Sequence, residues 1–249
     1  MQTQKYSIQQ PLIESLLAYV RSIAYPAGVM EDRSGRIHGP GFFPGATGSD
    51  FGSKPLASRP IMVLGQDQDN QKGHDRSEQE KDKGELYSKT WTNMMATFNA
   101  AGIDLGDCFF TNYIMGVRVN SKRNTGHSPA LAHPDFMKAC SDFFIQQLSA
   151  QQPKVILCLG MIPFKLLSLV SSGLRLRSIC IETFKELDAR KMNVIPDVEF
   201  DALPGKRFVV VPLCHPCYRL NGEQRFREEG AAHASEVALL NEVLVKHVK

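Results

Sequence analysis

The stretch Pro60-Ile-Met-Val-Leu-Gly65-Gln66-Asp67 decides the predicted fold. Its apolar run is short, ends at a glycine and passes into polar residues, which is the pattern of a strand buried in a parallel sheet. Three later runs have the same character, over residues 108–111, 155–159 and 208–212. We therefore predict four strands of one mainly parallel sheet.

Segments in which apolar residues recur at helical spacing lie before, between and after these strands. They predict helices over residues 8–23, 88–101, 135–150, 162–171 and 230–247. Strands that alternate with helices favour right-handed crossovers, which place helices on both faces of the sheet. The predicted fold is a three-layer α/β/α domain around a central four-stranded, mainly parallel sheet.

The whole chain, residues 1–249, is predicted to be one domain, because a composition of 43% hydrophobic residues suffices for one large core. Glycine and proline cluster in residues 26–59, which predicts a loop-rich N-terminal segment. Residues 66–83 are almost wholly polar and charged, and we expect a surface loop there. Residues 173–206 are compatible with an insertion that carries extra strands.

Composition sets limits on partners and compartment. The formal net charge of +3 permits nucleic-acid binding without arguing for it. No stretch approaches the roughly 18 apolar residues of a membrane span, so no membrane partner is expected. With six cysteines and no export signal, we expect reduced thiols in a cytoplasmic protein, and we expect a monomer.

Polar residues follow three of the four predicted strands. They are Gly65-Gln66-Asp67, Asn112 and His215. In open α/β sheets, ligands bind outside the carboxyl ends of the strands. The sequence therefore predicts a binding pocket formed by these residues.

These three strand ends resemble motifs of the uracil-DNA glycosylase superfamily. Gly65-Gln66-Asp67 is similar to the start of its GQDPY motif, and the run from His215 to Arg219 is similar to its HPS or HPxxxxR motif. Residues 101–103 with 109–112 resemble the AGI…vYITN segment of the iron–sulfur glycosylases, and residues 153–160 resemble their PkvIvaLG strand. The resemblance spans residues 59–219.

The chain departs from this family in two respects, the GQDPY motif and the cluster cysteines. Gln68 and Asp69 replace the Pro and Tyr of GQDPY, so the exclusion of thymine that this Tyr provides is not implied here. Of the four cluster cysteines in the iron–sulfur members, Cys140 fits the fourth position, but Gly116 stands at the third. The N-terminal Cys-x-x-Cys is also missing, so we predict no cluster and no other cofactor.

The resemblance implies a DNA glycosylase that flips out a deaminated base such as uracil and hydrolyses its N-glycosidic bond with water. In that reaction Asp67 would orient the water and stabilise positive charge on the sugar. Asp69 and Asp75 are the alternative candidates for this role. The alternative is that Asp67 is a solvated loop residue or a helix cap.

The resemblance also assigns residues to the base. His215 would donate a hydrogen bond to the base O2, and Asn112 would read the edge of the base with its donor and acceptors. Gly65 and Gln66 would line the base, and Tyr87 would stack on it. A structural histidine and a turn asparagine are the alternatives, and Trp91 is expected in the core.

Residues around these strand ends are candidates for DNA contacts. Arg219 and Leu220 would fill the gap left by the flipped base, although an exposed turn has the same sequence pattern. Arg118 is the main candidate for a phosphate contact, with Lys122, Arg123 and His127 nearby, and a solvated polar loop is the alternative. Cys214 and Cys217 have zinc-like spacing without a second pair, so we predict no metal site.

Two other functions are compatible with the sequence. One is a catalytically inactive glycosylase fold that binds DNA or a nucleobase, because the Pro and Tyr after Asp67 are replaced. The other is an unrelated α/β hydrolase or nucleotide-binding protein, but neither a Gly-x-x-x-x-Gly-Lys loop nor a Gly-x-Ser-x-Gly elbow is present.

Overall fold

A computed structural model describes residues 10–31, 58–82, 89–119, 126–218, 225–226 and 233–249. The helices are α1 (Gln10–Ser22), α2 (Gln71–Asp82), α3 (Lys89–Ala100), α4 (Pro134–Gln151), α5 (Met161–Leu167), α6 (Ser172–Ser178), α7 (Phe184–Ala189) and α8 (Glu236–Val243). The strands are β1 (Val29–Met30), β2 (Ile61–Gly65), β3 (Cys108–Asn112), β4 (Val117–Arg118), β5 (Val155–Leu159), β6 (Ile195–Val198) and β7 (Phe208–Leu213).

The predicted α/β class with a mainly parallel sheet is confirmed. All four predicted strands are present as β2, β3, β5 and β7, and they belong to a five-stranded sheet. The sheet has one strand more than predicted, which is β6 from the 173–206 segment. This strand is short and contains Pro196, which cannot donate to a strand ladder and is typical of sheet edges.

The described residues group into two compact units by their internal contacts. The first draws on residues 1–59, 65–87 and 109–152, and the second on residues 60–64, 88–108 and 153–249. The predicted single domain over residues 1–249 stays a prediction.

The second unit is built around strands β2, β5, β7 and β6, in that spatial order. β5 pairs in parallel with both β2 and β7, whereas β6 pairs with β7 in the antiparallel sense. Every residue of β2, β5 and β7 is buried, which explains their continuous apolar sequences. Gly160 follows β5 with a φ of +107°, a backbone conformation that favours glycine.

The first unit has an aromatic core between helices and β3. Tyr19 of α1 stacks on Phe143 of α4 at 5.9 Å between ring centroids. Tyr113, which follows β3, packs on Phe144 and shares a hydrogen bond of 2.7 Å with the Ser141 hydroxyl. The short strands β1 and β4 pair antiparallel in the same unit.

One prediction about the first unit is wrong, because the polar segment 66–83 contains helix α2 instead of being a loop throughout. The Asn70 side chain begins this helix, since its Oδ1 accepts the Gly73 N–H at 2.8 Å. The helix is strongly polar and has no apolar stripe, so apolar periodicity could not reveal it. None of the described helices is long and apolar enough to cross a membrane.

Candidate functional site

In the first unit, Asp67 lies two residues after the end of β2 and is held by an arginine. Arg118 of β4 donates from Nε to Asp67 Oδ2 at 2.7 Å and from Nη2 to Asp67 Oδ1 at 2.9 Å. Both side chains are buried, with 3% of Asp67 and 6% of Arg118 exposed. The planar guanidinium and the carboxylate form a bidentate ion pair, which fixes the orientation of the Asp67 side chain.

Arg118 therefore has a different position from the exposed phosphate contact that the sequence suggests. Its guanidinium is buried against Asp67, and its backbone N–H donates to the Asp69 carbonyl at 2.8 Å. Of the other suggested phosphate contacts, His127 is exposed, whereas Lys122 and Arg123 lie outside the described residues.

Asp69, one of the two alternative candidates for the catalytic carboxylate, is partly buried and has an unusual backbone conformation. Its φ of +69° is rare for a residue other than glycine. Its Oδ1 accepts the Asn70 N–H at 2.6 Å, and a Cβ on Gly73 would clash with its Oδ2. Burial raises the pKa of the Asp69 carboxyl, although the Asn70 N–H and Arg118 act in the opposite direction. The other alternative candidate, Asp75, is exposed beside His74.

Asn112 ends β3 with its side chain enclosed. Only 1% of the residue is exposed. Neither its Oδ1 nor its Nδ2 has a hydrogen-bond partner among the described residues, although both atoms are buried. A buried polar atom without a partner costs roughly 1–3 kcal/mol, and native structures usually keep one only where a ligand, a water or a function accounts for it.

The backbone around Asn112 is tied to the residues after β2. The Tyr113 N–H donates to the Gly65 carbonyl at 3.0 Å, and the Ile114 N–H donates to the Gln66 carbonyl at 2.9 Å. The Gln66 side chain donates from Nε2 to the Gly126 carbonyl at 3.1 Å. The structure thus brings the backbone around Asn112 next to Gly65 and Gln66 within the first unit.

In the second unit, His215 follows β7, and its ring nitrogen Nδ1 lies against Cys217. Its Nδ1 accepts the Cys217 N–H at 3.3 Å and lies 2.9 Å from the Cys217 sulfur. Burial raises the pKa of the Cys217 thiol, so its S–H is retained and can also donate to Nδ1. Because Nδ1 accepts, the proton of the neutral ring is on Nε2, which is left as a donor for a ligand.

Burial also keeps the His215 ring neutral, because it lowers the pKa of the imidazole from 6.5 to about 4. Gly160 lies next to the ring, where a Cβ on residue 160 would be 3.6 Å from the His215 Cβ. A neutral ring with a proton on Nε2 suits hydrogen-bond donation to a carbonyl oxygen or to a developing anion.

The lowered pKa of His215 predicts a pH dependence of stability. Between pH 6.5 and about 4 the unfolded chain binds a proton at this ring and the folded protein does not. The free energy of unfolding should therefore fall as the pH drops through this range, by up to about 3 kcal/mol from this group. Urea unfolding at several pH values measures it, and a His215→Gln variant should show a shallower slope; equal slopes would contradict the assignment.

A cavity of about 120 Å³ borders His215 within the second unit. Its lining is mainly apolar, and two of its polar residues, Asn93 and Glu236, already bond to the Pro216 carbonyl and to the Cys214 N–H. The volume is below the roughly 300 Å³ at which ligand pockets usually begin. We assign no ligand to this cavity.

Three predicted site residues lie outside the described residues: Tyr87, Arg219 and Leu220. Trp91, expected in the core, is buried in α3. The described residues include no group of three or more His, Cys, Asp or Glu side chains arranged for a metal ion.

Sequence reasoning missed the Asp67–Arg118 ion pair, because the two residues are 51 positions apart. One signal was available: Arg118 lies within the apolar run Tyr113-Ile-Met-Gly-Val-Arg-Val119, where an arginine is expected to be buried with a partner.

The comparison with protein families agrees with the motifs. The family described as the uracil DNA glycosylase superfamily matches residues 52–237, which is more than half of the chain. No curated protein matches the chain.

Proposed function

We propose, from the premise that this chain belongs to the uracil DNA glycosylase superfamily, that it hydrolyses the N-glycosidic bond of a deaminated base such as uracil in DNA. Membership supports a glycosylase-like function and DNA as the partner in general terms. The particular base, the hydrolysis and the residue roles below are our proposal. The monomeric state and the cytoplasmic location stay predictions.

The observation that carries the proposal is the enclosed Asn112 amide. Its donor and acceptor are both buried and have no partner among the described residues. The edge of a pyrimidine such as uracil offers an N–H and a carbonyl side by side, which an amide can bind with two hydrogen bonds. A base entering this position would satisfy both orphan atoms together.

His215 has the chemistry that a leaving base requires. When the N-glycosidic bond breaks, the base departs with negative charge on its ring and carbonyl oxygens. A donor that is already oriented stabilises this charge without reorganisation. The neutral His215 ring, with its proton on Nε2, is such a donor.

Asp67 is the carboxylate proposed to act on the attacking water. Its oxygens accept two hydrogen bonds from Arg118 and a weaker one of 3.3 Å from the Asp69 N–H. A carboxylate has about four lone-pair sites, so about one is left for a water molecule. The ion pair with Arg118 would orient this remaining lone pair toward the attacking water, as general-base catalysis requires.

A second candidate is a glycosylase fold that binds DNA or a base without cutting it. The observation that favours it is the same Arg118 pair, because a carboxylate engaged with a buried guanidinium is less available to a water. Replacement of the Pro and Tyr of the family motif by Gln68 and Asp69 points in the same direction.

Incubation with labelled oligonucleotides that contain one uracil, single-stranded and paired with guanine or adenine, separates the candidates. Alkaline cleavage at abasic sites reports base release, and the same oligonucleotides with thymine are the control. We expect cleavage that requires the uracil. Binding without release on uracil, hypoxanthine and xanthine substrates would support the second candidate and reject hydrolysis.

A further inference from the structure

Arg225 is a buried cation that joins three separate parts of the second unit. Only 2% of its side chain is exposed. Its Nε and Nη2 donate to the two carboxylate oxygens of Asp188 at 2.8 and 2.6 Å, and its Nη1 donates to the Pro212 carbonyl at 2.7 Å and to Glu236 Oε1 at 3.0 Å. Helix α7, strand β7 and the start of α8 thus meet at one guanidinium.

Aromatic rings complete the surroundings of this cation. The Arg225 guanidinium carbon lies 4.4 Å from the centroid of the Phe184 ring and 4.8 Å from that of Phe226. Ring faces attract a guanidinium and exclude water from it. Burying an arginine is costly unless its donors are paired, and here four directed hydrogen bonds hold it in one orientation.

Glu236 connects this cation to the chain beside His215. Its Oε1, which accepts from Arg225, also accepts the Cys214 N–H at 2.7 Å. Cys214 is the residue directly before His215, so fixing the Leu213–Cys214 peptide restrains the backbone from which the histidine extends. A bond to a charged acceptor is roughly twice as strong as a neutral one, and the Glu236 carboxyl is itself fixed by Arg225.

The other side of the histidine is also held. Asn93 of α3 donates from Nδ2 to the Pro216 carbonyl at 2.8 Å. The Leu213–Cys214 peptide and the Pro216–Cys217 peptide, one residue away on either side of His215, are therefore both tethered by side chains of the same unit. A surface turn does not require two such tethers. They suit an imidazole ring that must keep one position during a reaction.

We propose that Glu236 and Arg225 are positioning residues for His215: Glu236 fixes the Cys214 peptide, and Arg225 locks Glu236 in place against Asp188. The proposal rests on the proposed function for its meaning in catalysis. Its structural part, that the pair sets the state of the His215 ring, is independent of any activity.

The test compares Glu236→Ala with Glu236→Gln, which keeps an oxygen acceptor for the Cys214 N–H. Asp201→Ala is the matched control, because Asp201 also accepts a backbone N–H, that of Ser172, in the same unit but away from His215. Each folded variant is examined by ¹⁵N NMR of the His215 ring over a pH titration and by base-release kinetics.

We expect wild type, Glu236→Gln and Asp201→Ala to keep an accepting Nδ1 and an imidazole pKa of about 4. In Glu236→Ala the ring should sample both tautomers and its pKa should move toward 6.5. Base release should fall on the order of 10²-fold in kcat with little change in KM, since small displacements of reacting groups have effects of this size. Should Glu236→Ala fail to fold, Arg225→Lys carries the same test, because lysine keeps the charge but lacks the planar fork.

The proposal would be overturned if the tautomer and the pKa of His215 were unchanged in Glu236→Ala or Arg225→Lys. It would also be overturned if Asp201→Ala lost as much activity as Glu236→Ala. A wild-type protein that releases no base would reject the proposed function. The ring spectra would still decide whether Glu236 and Arg225 position His215.

Discussion

Substituting Asp67 by asparagine is expected to slow base release by roughly 10²- to 10⁴-fold, the range that general acid–base catalysis contributes. Asparagine has nearly the same shape, but its amide cannot accept a proton from the attacking water. Single-turnover kinetics with excess protein measure this effect without interference from product release. Binding to uracil-containing DNA should be retained, because the proposed base-reading group is Asn112.

The Asp67 substitution also removes the counter-charge of Arg118, so stability has to be followed with activity. Leaving a buried guanidinium without its carboxylate lowers the free energy of unfolding by roughly 3–5 kcal/mol. Asp135→Asn is the matched control in the same unit, because Asp135 is exposed, and it should leave the rate of base release and the free energy of unfolding nearly unchanged. A folded Asp67→Asn variant of full activity would exclude the proposed role, and loss in Asp69→Asn instead would transfer it to Asp69.

Replacing His215 by alanine is expected to lower the rate of base release by roughly 10²- to 10³-fold, the usual effect of removing one donor to a developing anion. The loss should appear in kcat, because the interaction strengthens as the base acquires charge. His215→Gln, which retains an N–H donor, should recover part of the rate.

The pH dependence of kcat provides a second test of the role of His215. Because the pKa of His215 is about 4, its protonation should produce no inflection in kcat near pH 6.5. His247→Ala is a control from the same unit and should behave as wild type. Full activity of His215→Ala, or an inflection near pH 6.5 that this variant abolishes, would contradict a neutral donor.

The strands were predictable because burial on both faces leaves a direct trace in the sequence. A strand such as β5, with every residue buried, must be continuously apolar, and Gly160 marks its end. Helix α2 left no comparable trace. Its start depends on one side-chain bond from Asn70, and its strongly polar sequence has no apolar stripe. The short edge strand β6 was hidden for a related reason, since two of its four residues are exposed.

The candidate site was predictable only where it follows strand ends. Asp67, Asn112 and His215 were identified from their positions and motifs, and the states of their side chains came from the structure. The partners that set these states lie far away in sequence: Arg118 is 51 residues from Asp67, and Asp188 is 37 residues from Arg225. Such pairs depend on tertiary packing, which a single sequence does not encode by local spacing.

The central claim is that the buried Asn112 amide reads the edge of a nucleobase. Titration of ¹⁵N-labelled protein with free uracil, following the Asn112 Nδ2 resonances, tests it most directly. We predict that uracil shifts these resonances and that Asn112→Ala weakens uracil binding roughly tenfold or more, whereas Asn99→Ala, on the exposed side of α3, does not. Uracil binding that leaves the Asn112 resonances in place, or equal affinity in Asn112→Ala, would contradict the claim.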